Sequence, residues 1–281
     1  MKLAKNIVTL KKSLAEWNKL KLSVGFVPTM GALHQGHLSL IERAISENDK
    51  AICSIFVNPT QFNDKKDLKN YPNHIEDDLV LLEDIGCDLT FTPTKEDMYP
   101  QGDEVLKFNH NGLDCLMEGA HRPGHFNGVC TIVSKFFEIV HPNKAYFGQK
   151  DFQQLAIIRQ LNINQKLNIN IVGCPTIREE DGLAMSSRNA LLNSEERIIA
   201  NKIYAVISEA KGKFPNSSVE ELKSFVEIKL NAISVFSTDY VEIVHSETLK
   251  PLKTLEKKEP AILCVAVFLG SVRLIDNILL N

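Results

Sequence analysis

The sequence predicts an α/β fold in which a doubly wound parallel sheet is followed by a smaller α+β domain. Its 281 residues, 44% hydrophobic and 24% charged, match a globular chain long enough for two compact domains. Short apolar runs alternate with amphipathic stretches through the first two-thirds, which is typical of βαβ units. Later strands follow helices in a group. We place the boundary near Pro175, giving domains 1–175 and 176–281.

The first domain repeats a strand, a turn and a helix. Ser23–Val27 is an apolar strand that enters a Pro-Gly turn, after which Leu38, Ile41 and Ile45 fall at helical spacing. The same pattern predicts further strands at Ala51–Val57, Asp88–Phe91, Lys144–Phe147 and Ile169–Gly173. It predicts further helices at Ile75–Ile85, Val129–Val140 and Phe152–Leu161.

The second domain begins with a polar, irregular stretch, Ile177–Asn193. Two helices follow, Glu195–Ala210 and Val219–Ala232, and then strands near Tyr240–Val244 and at Ala261–Leu269. Because these strands come after helices and not between them, we expect an α+β arrangement.

Charge and composition exclude several function classes. The net charge of -3 gives no basic surface for nucleic acid or an anionic membrane. No stretch approaches the roughly 20 apolar residues of a spanning helix, and the N-terminus lacks a signal-peptide core. The six cysteines form no C-x-x-C pair, so we expect reduced thiols and a cytoplasmic protein.

The turn Met30–His37 is the first candidate phosphate site. It places two histidines and two glycines where a helix begins after a parallel strand. Free N–H groups at a helix N-terminus attract anions, and Gly36 would allow a ligand close to the backbone. Neither a P-loop nor a dinucleotide fingerprint is present. A helix cap with two surface histidines remains the alternative. Zinc binding is a weaker interpretation, because no third ligand is evident beside the two histidines.

Met185–Arg188 is the second candidate. Its sequence, Met-Ser-Ser-Arg, offers hydroxyls and a guanidinium that suit phosphate oxygens. The tripeptide alone is common, and a solvated helix cap would explain it equally well. Its pairing with the histidine turn makes the phosphate interpretation the stronger one.

This pair of motifs resembles the nucleotidyltransferase superfamily related to class I aminoacyl-tRNA synthetases, in which an H-x-G-H turn and a serine-rich loop grip ATP. Three further blocks are similar to the pantoate–β-alanine ligase family: Phe56–Phe62, Arg122–Val129 and Tyr146–Gln154. Arg188 stands where the broader superfamily often has lysine, a form typical of this narrower family. The five blocks lie in order along the chain, whereas the part after about Asn201 adds little.

The resemblance implies a Rossmann-like fold and assigns roles to particular residues. His34 and His37 would bind phosphates, with His37 a proton donor, while Lys150 and Arg188 would complete the catalytic set. Asp151 would accept ribose hydroxyls. The implied ATP contacts are Met30, Gly31, Ala32, Leu33, His34, Gln35, Gly36, His37, Gly148, Gln149, Lys150, Asp151, Ile177, Met185, Ser186, Ser187 and Arg188.

The same resemblance places Gln61 and Gln154 on pantoate, and Gln61 with Asn58 on β-alanine. A neutral amide can hydrogen-bond hydroxyls and a carboxylate without neutralising the nucleophile. Arg122 and His125 are as readily structural as functional.

The implied reaction is an ATP-dependent condensation of pantoate with β-alanine through pantoyl adenylate, which releases pyrophosphate and AMP. ATP would bring Mg²⁺, held by its phosphates without a protein cage, although Asp88 and Glu118 could lie behind its waters. A homodimer is implied. Two alternatives stay open: a nucleotidyltransferase with a stable adenylylated product, and a non-catalytic ATP sensor.

Overall fold

The computed structural model describes residues 1–256, 258 and 260–281, and it contains two sheets. The first sheet comprises β1 (Lys2–Ala4), β2 (Val24–Thr29), β3 (Lys50–Ile55), β4 (Leu89–Phe91), β5 (Lys144–Gly148) and β6 (Asn170–Cys174). The second comprises β7 (Phe236–His245), β8 (Ala261–Leu269) and β9 (Val272–Leu279). The α-helices are α1 (Ile7–Lys19), α2 (Gln35–Glu47), α3 (Lys65–Asn70), α4 (Ile75–Asp84), α5 (Lys95–Met98), α6 (Met117–His121), α7 (His125–Val140), α8 (Phe152–Asn164), α9 (Ser194–Ala200), α10 (Lys202–Lys213) and α11 (Val219–Asn231).

All neighbouring strands of the first sheet are parallel, in the order β1-β4-β3-β2-β5-β6. From β2 the chain moves outward to β3 and β4, then crosses back to β5 on the other side of β2. This reversal between β2 and β5 is the topological switch point of a doubly wound sheet, where a crevice opens at the carboxyl ends of the strands. The predicted fold class is confirmed.

The parallel sheet is covered on both faces, as its nearly continuous apolar strands require. One face packs against α7 and α8 through a core that includes Phe26, Phe136 and Leu155. The other packs against α2 and α4, with Ile41 and Leu82 buried there. The crevice between β2 and β5 therefore has a rigid, packed base.

The second sheet is antiparallel, in the order β7-β8-β9. One face packs on α10 and α11 around Val226 and Leu263. The opposite face meets Met117 of α6 and Phe152 of α8, so an apolar contact joins the two sheets. The boundary near Pro175 stays a prediction, although β6 ends at Cys174.

Several elements differ from the sequence prediction. The predicted helix Glu195–Ala210 is divided at Asn201 into α9 and α10, and asparagine is among the weaker helix formers. Helix α7 begins four residues before Val129, at His125. Strand β9 was not predicted because Arg273, Asp276 and Asn277 interrupt its apolar pattern, and these polar side chains find partners only in the folded chain.

None of the helices in the described part of the chain has the length and apolar character that a membrane span needs.

Candidate active site

The candidate site lies at the switch point of the parallel sheet. Strand β2 ends at Thr29 and leads through Met30–Leu33 into α2, while β5 ends at Gly148 and leads through a 3₁₀ turn, Gln149–Asp151, into α8. The Met30–His37 turn and the Gln149–Asp151 turn therefore begin at the same edge of the sheet. Their closeness follows from the strand order and not from their separation in sequence.

The two histidines form a reciprocal cap at the N-terminus of α2. Nδ1 of His34 accepts from the backbone N–H of Gly36 at 3.1 Å, and Nδ1 of His37 accepts from the backbone N–H of His34 at 3.3 Å. An accepting Nδ1 leaves the proton of a neutral imidazole on Nε2. Each ring therefore presents an Nε2–H donor, and the ring centroids lie 4.1 Å apart.

Both imidazoles are neutral near pH 7. Burial, reinforced by the charge of Lys150, lowers the pKa of His34 to about 4. Burial also lowers the pKa of His37 well below its usual value, and His34 and Lys150 add to the effect. The turn thus offers hydrogen-bond donors without carrying positive charge before a ligand binds.

A buried carboxylate holds the turn from behind. Asp78, at the start of α4 and 2% exposed, accepts from the backbone N–H groups of Ala32 and Leu33 at 2.9 and 2.7 Å. Gly31 has φ +82°, and a Cβ there would lie 2.9 Å from the Asp78 carboxylate. The sequence does not reveal the role of Asp78, because an acidic residue in the first turn of a helix already has an explanation in the helix dipole.

Glycine is needed at position 36 for a different reason from the close approach of a ligand that the sequence suggests. A Cβ on Gly36 would lie 2.8 Å from Cε1 of His34. The space above this glycine is therefore filled by the His34 ring, which needs it to reach its capping position.

The 3₁₀ turn after β5 presents Lys150 and Asp151. The Lys150 side chain is 17% exposed, and its Nζ lies 3.9 Å from Oδ1 of Asp151. Asp151 stands at the N-cap position of α8 but makes no capping hydrogen bond. Its carboxylate, 47% exposed, remains accessible to a ligand.

The Met185–Arg188 loop reaches across the crevice and closes on the histidine turn. Oγ of Ser187 donates to the carbonyl of Ala32 at 2.9 Å, which joins two segments 155 residues apart. Oγ of Ser186 accepts from the N–H of Arg188 at 3.3 Å. The structure thus brings the two predicted phosphate motifs into direct contact.

Arg188 has partners that the sequence did not reveal. Its Nη2 lies 3.0 Å from Oδ2 of Asp67, in α3, and its guanidinium lies 5.7 Å from the ring centroid of Tyr71. Both side chains of the ion pair are partly exposed, so the pair is weak and exchangeable.

The loop that carries Asn58 and Gln61 is fastened to α7. Asn58, 1% exposed, donates to Oε1 of Gln61 and to the carbonyl of Gly128, both at 3.1 Å. A Cβ at Gly128 would collide with the Thr60 carbonyl, so only glycine permits this approach. Nε2 of Gln61 lies 3.1 Å from Sδ of Met30, which directs the amide into the crevice.

Arg122 and His125 both contact the backbone of the loop that carries Asn58 and Gln61. Nδ1 of His125 lies 2.7 Å from the Gln61 carbonyl, and Nη2 of Arg122 lies 3.5 Å from it. Burial lowers the pKa of His125 to about 4, with a contribution from the Arg122 charge. These contacts favour the structural interpretation of both residues.

Adjacent glutamines on α8 behave differently. Gln153 is buried, and its Nε2 donates to the carbonyls of Leu113 and Leu116 at 2.7 and 2.8 Å. Gln154 faces the crevice, and its side-chain amide makes no hydrogen bond to any described residue. It is therefore available to a ligand.

Two adjoining cavities fill the space between the sheets. The smaller, of about 220 Å³, lies over the switch point. Its lining includes Met30, His34, Gly36, His37, Asn58, Gln61, Gly148, Lys150, Asp151, Gln154, Ile177, Met185, Ser186, Ser187 and Arg188. The predicted contacts Gly31, Ala32, Leu33, Gln35 and Gln149 do not line it.

The larger cavity, of about 870 Å³, extends the site between the two sheets. Glu118 of α6 accepts from both terminal nitrogens of Arg273 on β9 at 2.8 Å and from the Tyr240 hydroxyl at 3.0 Å. Burial raises the pKa of Glu118, but Arg273 and Arg122 outweigh it and bring the value to about 2. A charged Glu118 and a charged Arg273 thus pair in the cavity wall.

No group of three or more His, Cys, Asp or Glu side chains suited to a metal ion occurs among the described residues. Asp88 accepts from Lys50 and Ala51 at the amino end of β3, the opposite edge of the sheet from the site. The alternative that Asp88 lies behind magnesium-bound water is therefore wrong. Glu118 is occupied by Arg273, Arg122 and Tyr240.

The doubly wound sheet, with Nε2–H donors, a lysine and an arginine around one crevice, defines an α/β protein whose switch point is suited to an anionic small molecule. The pantoate-beta-alanine ligase family model matches residues 2–279. A pantothenate synthetase of Bacteroides fragilis is 50% identical over 277 residues, covering 98% of each chain. One from Clostridioides difficile is 46% identical over 278 residues, covering 98% of this chain and 97% of the relative.

Solved structures agree. Pantothenate synthetase from Thermus thermophilus superimposes with a TM-score of 0.93 at 42% identity, covering 100% of this chain and 99% of the other. Pantoate-beta-alanine ligase from Francisella tularensis, complexed with beta-gamma ATP and β-alanine, gives 0.82 at 38% identity, covering 100% and 98%. The chain belongs to the pantoate–β-alanine ligase family and is an enzyme. The ATP-sensor alternative is therefore wrong.

Proposed function

We propose that this enzyme joins (R)-pantoate to β-alanine in two steps at the switch-point crevice. A pantoate carboxylate oxygen attacks the α-phosphorus of ATP, the bond to the β-phosphate oxygen breaks, and pyrophosphate leaves. The β-alanine amine then attacks the acyl carbon of pantoyl adenylate, the carbon–oxygen bond breaks, and AMP leaves with loss of the ammonium proton. The family and the ATP and β-alanine of the Francisella tularensis complex support this assignment.

The observation that carries the proposal is the closure of Ser187 on Ala32 at 2.9 Å. This contact places the hydroxyls and guanidinium of the Met185–Arg188 loop opposite the Nε2–H donors of His34 and His37. Negative charge that moves onto the pyrophosphate is met on one side by the fixed donors of the histidine turn and on the other by Arg188, which exchanges Asp67 for phosphate when ATP binds. Lys150, at the third side, supplies positive charge near the α-phosphate.

The crevice separates the three substrates by their chemistry. Gln61 and Gln154 offer neutral amides to pantoate, so its carboxylate stays nucleophilic. We assign the β-alanine contact to Gln61 and give Asn58 the task of orienting it, because both polar atoms of the Asn58 side chain already bond within the protein. Met30, Gly148 and Ile177 border the adenosine, and Asp151 faces the ribose.

Magnesium enters this proposal bound to the phosphates of ATP, where it neutralises part of their charge. The described residues suit that arrangement, since the crevice offers cationic and neutral donors and no carboxylate cluster. We further propose a cytoplasmic homodimer on the family resemblance. Sedimentation velocity at micromolar concentration tests the oligomeric state directly.

Pyrophosphate exchange tests the chemistry. Labelled pyrophosphate should enter ATP when pantoate is present and not when it is omitted, and adding β-alanine should then give pantothenate and AMP. Folded enzyme that catalyses neither step would refute the proposal. A stable adenylylated product would instead support the nucleotidyltransferase alternative, which the whole-chain family match does not favour.

A further inference from the structure

A single amide ties the second sheet to the Lys150 turn. Nδ2 of Asn277, on β9, donates to the carbonyls of Gln149 and Lys150 at 3.0 and 2.9 Å. These two carbonyls lie in the 3₁₀ turn between β5 and α8, 128 and 127 residues away in sequence. The direction of the turn that presents Lys150 is therefore set partly by a residue of the other sheet.

Asn277 is itself held in one orientation. Its backbone N–H donates to Oδ1 of Asp276 at 2.8 Å, and its carbonyl accepts from Arg178 at 3.4 Å. The Asp276 carboxylate, 4% exposed, accepts two hydrogen bonds from Arg178, at 2.7 and 2.9 Å. The Arg178 guanidinium also lies 3.6 Å from the centroid of the Tyr204 ring. A bidentate pair stacked on an aromatic ring has little freedom.

The same arginine anchors the base of the Met185–Arg188 loop. Arg178 forms an antiparallel bridge with Ala184, and its Nη1 donates to the Gly182 carbonyl at 3.1 Å. The N–H of Met185 donates to the carbonyl of Ile177 at 3.0 Å. Arg178, Asp276 and Asn277 form one unit, the Arg178–Asp276–Asn277 bridge, with one end on the Lys150 turn and the other below the loop.

Cohesion between the sheets does not require this bridge. Their contact is already apolar, with Met117 and Phe152 packed on the face of the second sheet that carries Ile262. A buried ion pair adds little net stability over an apolar replacement, but its geometry is specific. The bridge therefore supplies direction where the apolar contact supplies adhesion.

We propose that Arg178, Asp276 and Asn277 are positioning residues that hold Lys150 and the Met185–Arg188 loop at a fixed separation across the triphosphate of ATP. This inference rests on the proposed function and adds residues outside the recognised motifs. Because misplacement of a reacting group by about 1 Å can cost about 100-fold in rate, the effect falls on adenylate formation more than on folding.

Asn277→Ala tests the proposal, with Asn162→Ala as the matched control. Asn162, near the other end of α8, also makes two side-chain bonds to backbone, both to Ile169, at 2.9 and 3.1 Å. We expect adenylate formation to fall about 10- to 100-fold in Asn277→Ala and less than about twofold in Asn162→Ala, at similar thermal stability. Asn277→Asp, which keeps the shape but turns an acceptor toward the same two carbonyls, should lose at least as much activity as Asn277→Ala.

A second measurement separates positioning through Lys150 from a general loss. In a Lys150→Ala background, Asn277→Ala should lower the rate of adenylate formation by a further factor of less than about three, because the group that Asn277 positions is already absent. Full additivity of the two losses would overturn the proposal.

Hydrogen exchange gives a readout without turnover. Backbone amides from Gln149 to Gln154 should exchange faster in Asn277→Ala and at the wild-type rate in Asn162→Ala. Unchanged amide exchange, or faster amide exchange with an unchanged rate of adenylate formation, would overturn the proposal that the bridge positions Lys150. If wild-type enzyme catalyses no pantoate-dependent exchange of pyrophosphate, the proposed function fails, whereas amide exchange still decides whether the bridge holds the turn.

Discussion

The two sides of the crevice offer an anionic ligand different physical means of binding. The histidine turn, Met30–His37, is held by its own reciprocal cap and by the buried Asp78 carboxylate, which accepts from the N–H groups of Ala32 and Leu33, and it presents neutral donors. The Met185–Arg188 loop presents a permanent positive charge. Its Ser187 hydroxyl donates to the Ala32 carbonyl and its Arg188 guanidinium donates to the Asp67 carboxylate, both in segments distant in sequence.

This difference teaches that shape and charge are supplied separately. A turn with buried backbone bonds keeps its geometry whether or not a ligand is present, so its donors are aimed before ATP arrives. A cation on a loop, paired with a partly exposed carboxylate, can exchange that partner for a phosphate. We therefore expect substitutions on the loop to remove charge stabilisation. Substitutions in the turn should remove correctly oriented hydrogen-bond donors.

Arg188 should give the largest effect. Arg188→Ala removes the only cation of the loop and should lower the rate of adenylate formation about 1,000-fold, the lower range for an arginine on a transferring phosphoryl group. Arg188→Lys should recover part of this loss, since charge remains while the planar fork is lost. Single-turnover kinetics measures both.

Arg197→Ala is the control, because Arg197 on α9 pairs with Asp181 and does not line either cavity. It should stay within about twofold of wild type. If Arg188→Lys equals wild type, a point charge is sufficient and the planar fork of the guanidinium is not needed.

His37 should give the next largest effect. In His37→Asn the shorter amide can still accept from the N–H of His34, so the cap survives while the Nε2–H donor disappears. Loss of one such donor costs about 100-fold in turnover. His37→Gln, whose amide reaches the Nε2 position, should retain more activity. His141→Asn, at the opposite edge of the sheet, is the control.

The neutral state of the turn also predicts a pH profile. Because burial lowers the pKa of His34 to about 4 and that of His37 well below its usual value, kcat/KM for ATP should show no acidic limb near the ordinary histidine pKa. A fall in kcat/KM as pH rises through about 6.5 that is absent in His37→Gln would show that the turn acts as a cation, and the contrast with the loop would fail.

His125 extends the same reasoning to stability. Its folded pKa of about 4 lies below the unfolded value near 6.5, so the unfolded chain binds the extra proton first. Stability from this group is complete above about pH 6.5 and is lost as pH falls toward 4, by about 2 kcal/mol between pH 7 and pH 5. Urea unfolding of His125→Gln should show a correspondingly shallower dependence on pH, and an unchanged slope would contradict a neutral His125.

Asp67 should give the smallest effect. Removing the partner of Arg188 in Asp67→Ala should lower KM for ATP about two- to fivefold, because a partly exposed ion pair is worth up to about 1 kcal/mol. The difference from wild type should shrink as salt concentration rises. A higher KM would mean that Asp67 assists ATP binding and does not compete with it.

Much of the site was accessible from the sequence because its groups lie in short, contiguous stretches. His34, Gly36 and His37 interact within one helical turn, so their spacing contains their geometry. The pairing of two motifs indicated phosphate binding before any strand order was known. The alternation of strands and helices likewise predicted the doubly wound sheet, since each strand and its helix are local units.

The tertiary structure alone decided which groups face the ligand and what holds them. Gln153 and Gln154 are adjacent and chemically identical, yet only the fold turns one toward the core and the other toward the crevice. Asp78 and Asn277 support the turns from segments remote in sequence, and a side-chain bond to backbone leaves no periodic signal. Their energies depend on burial and direction, which arise only when the chain has packed.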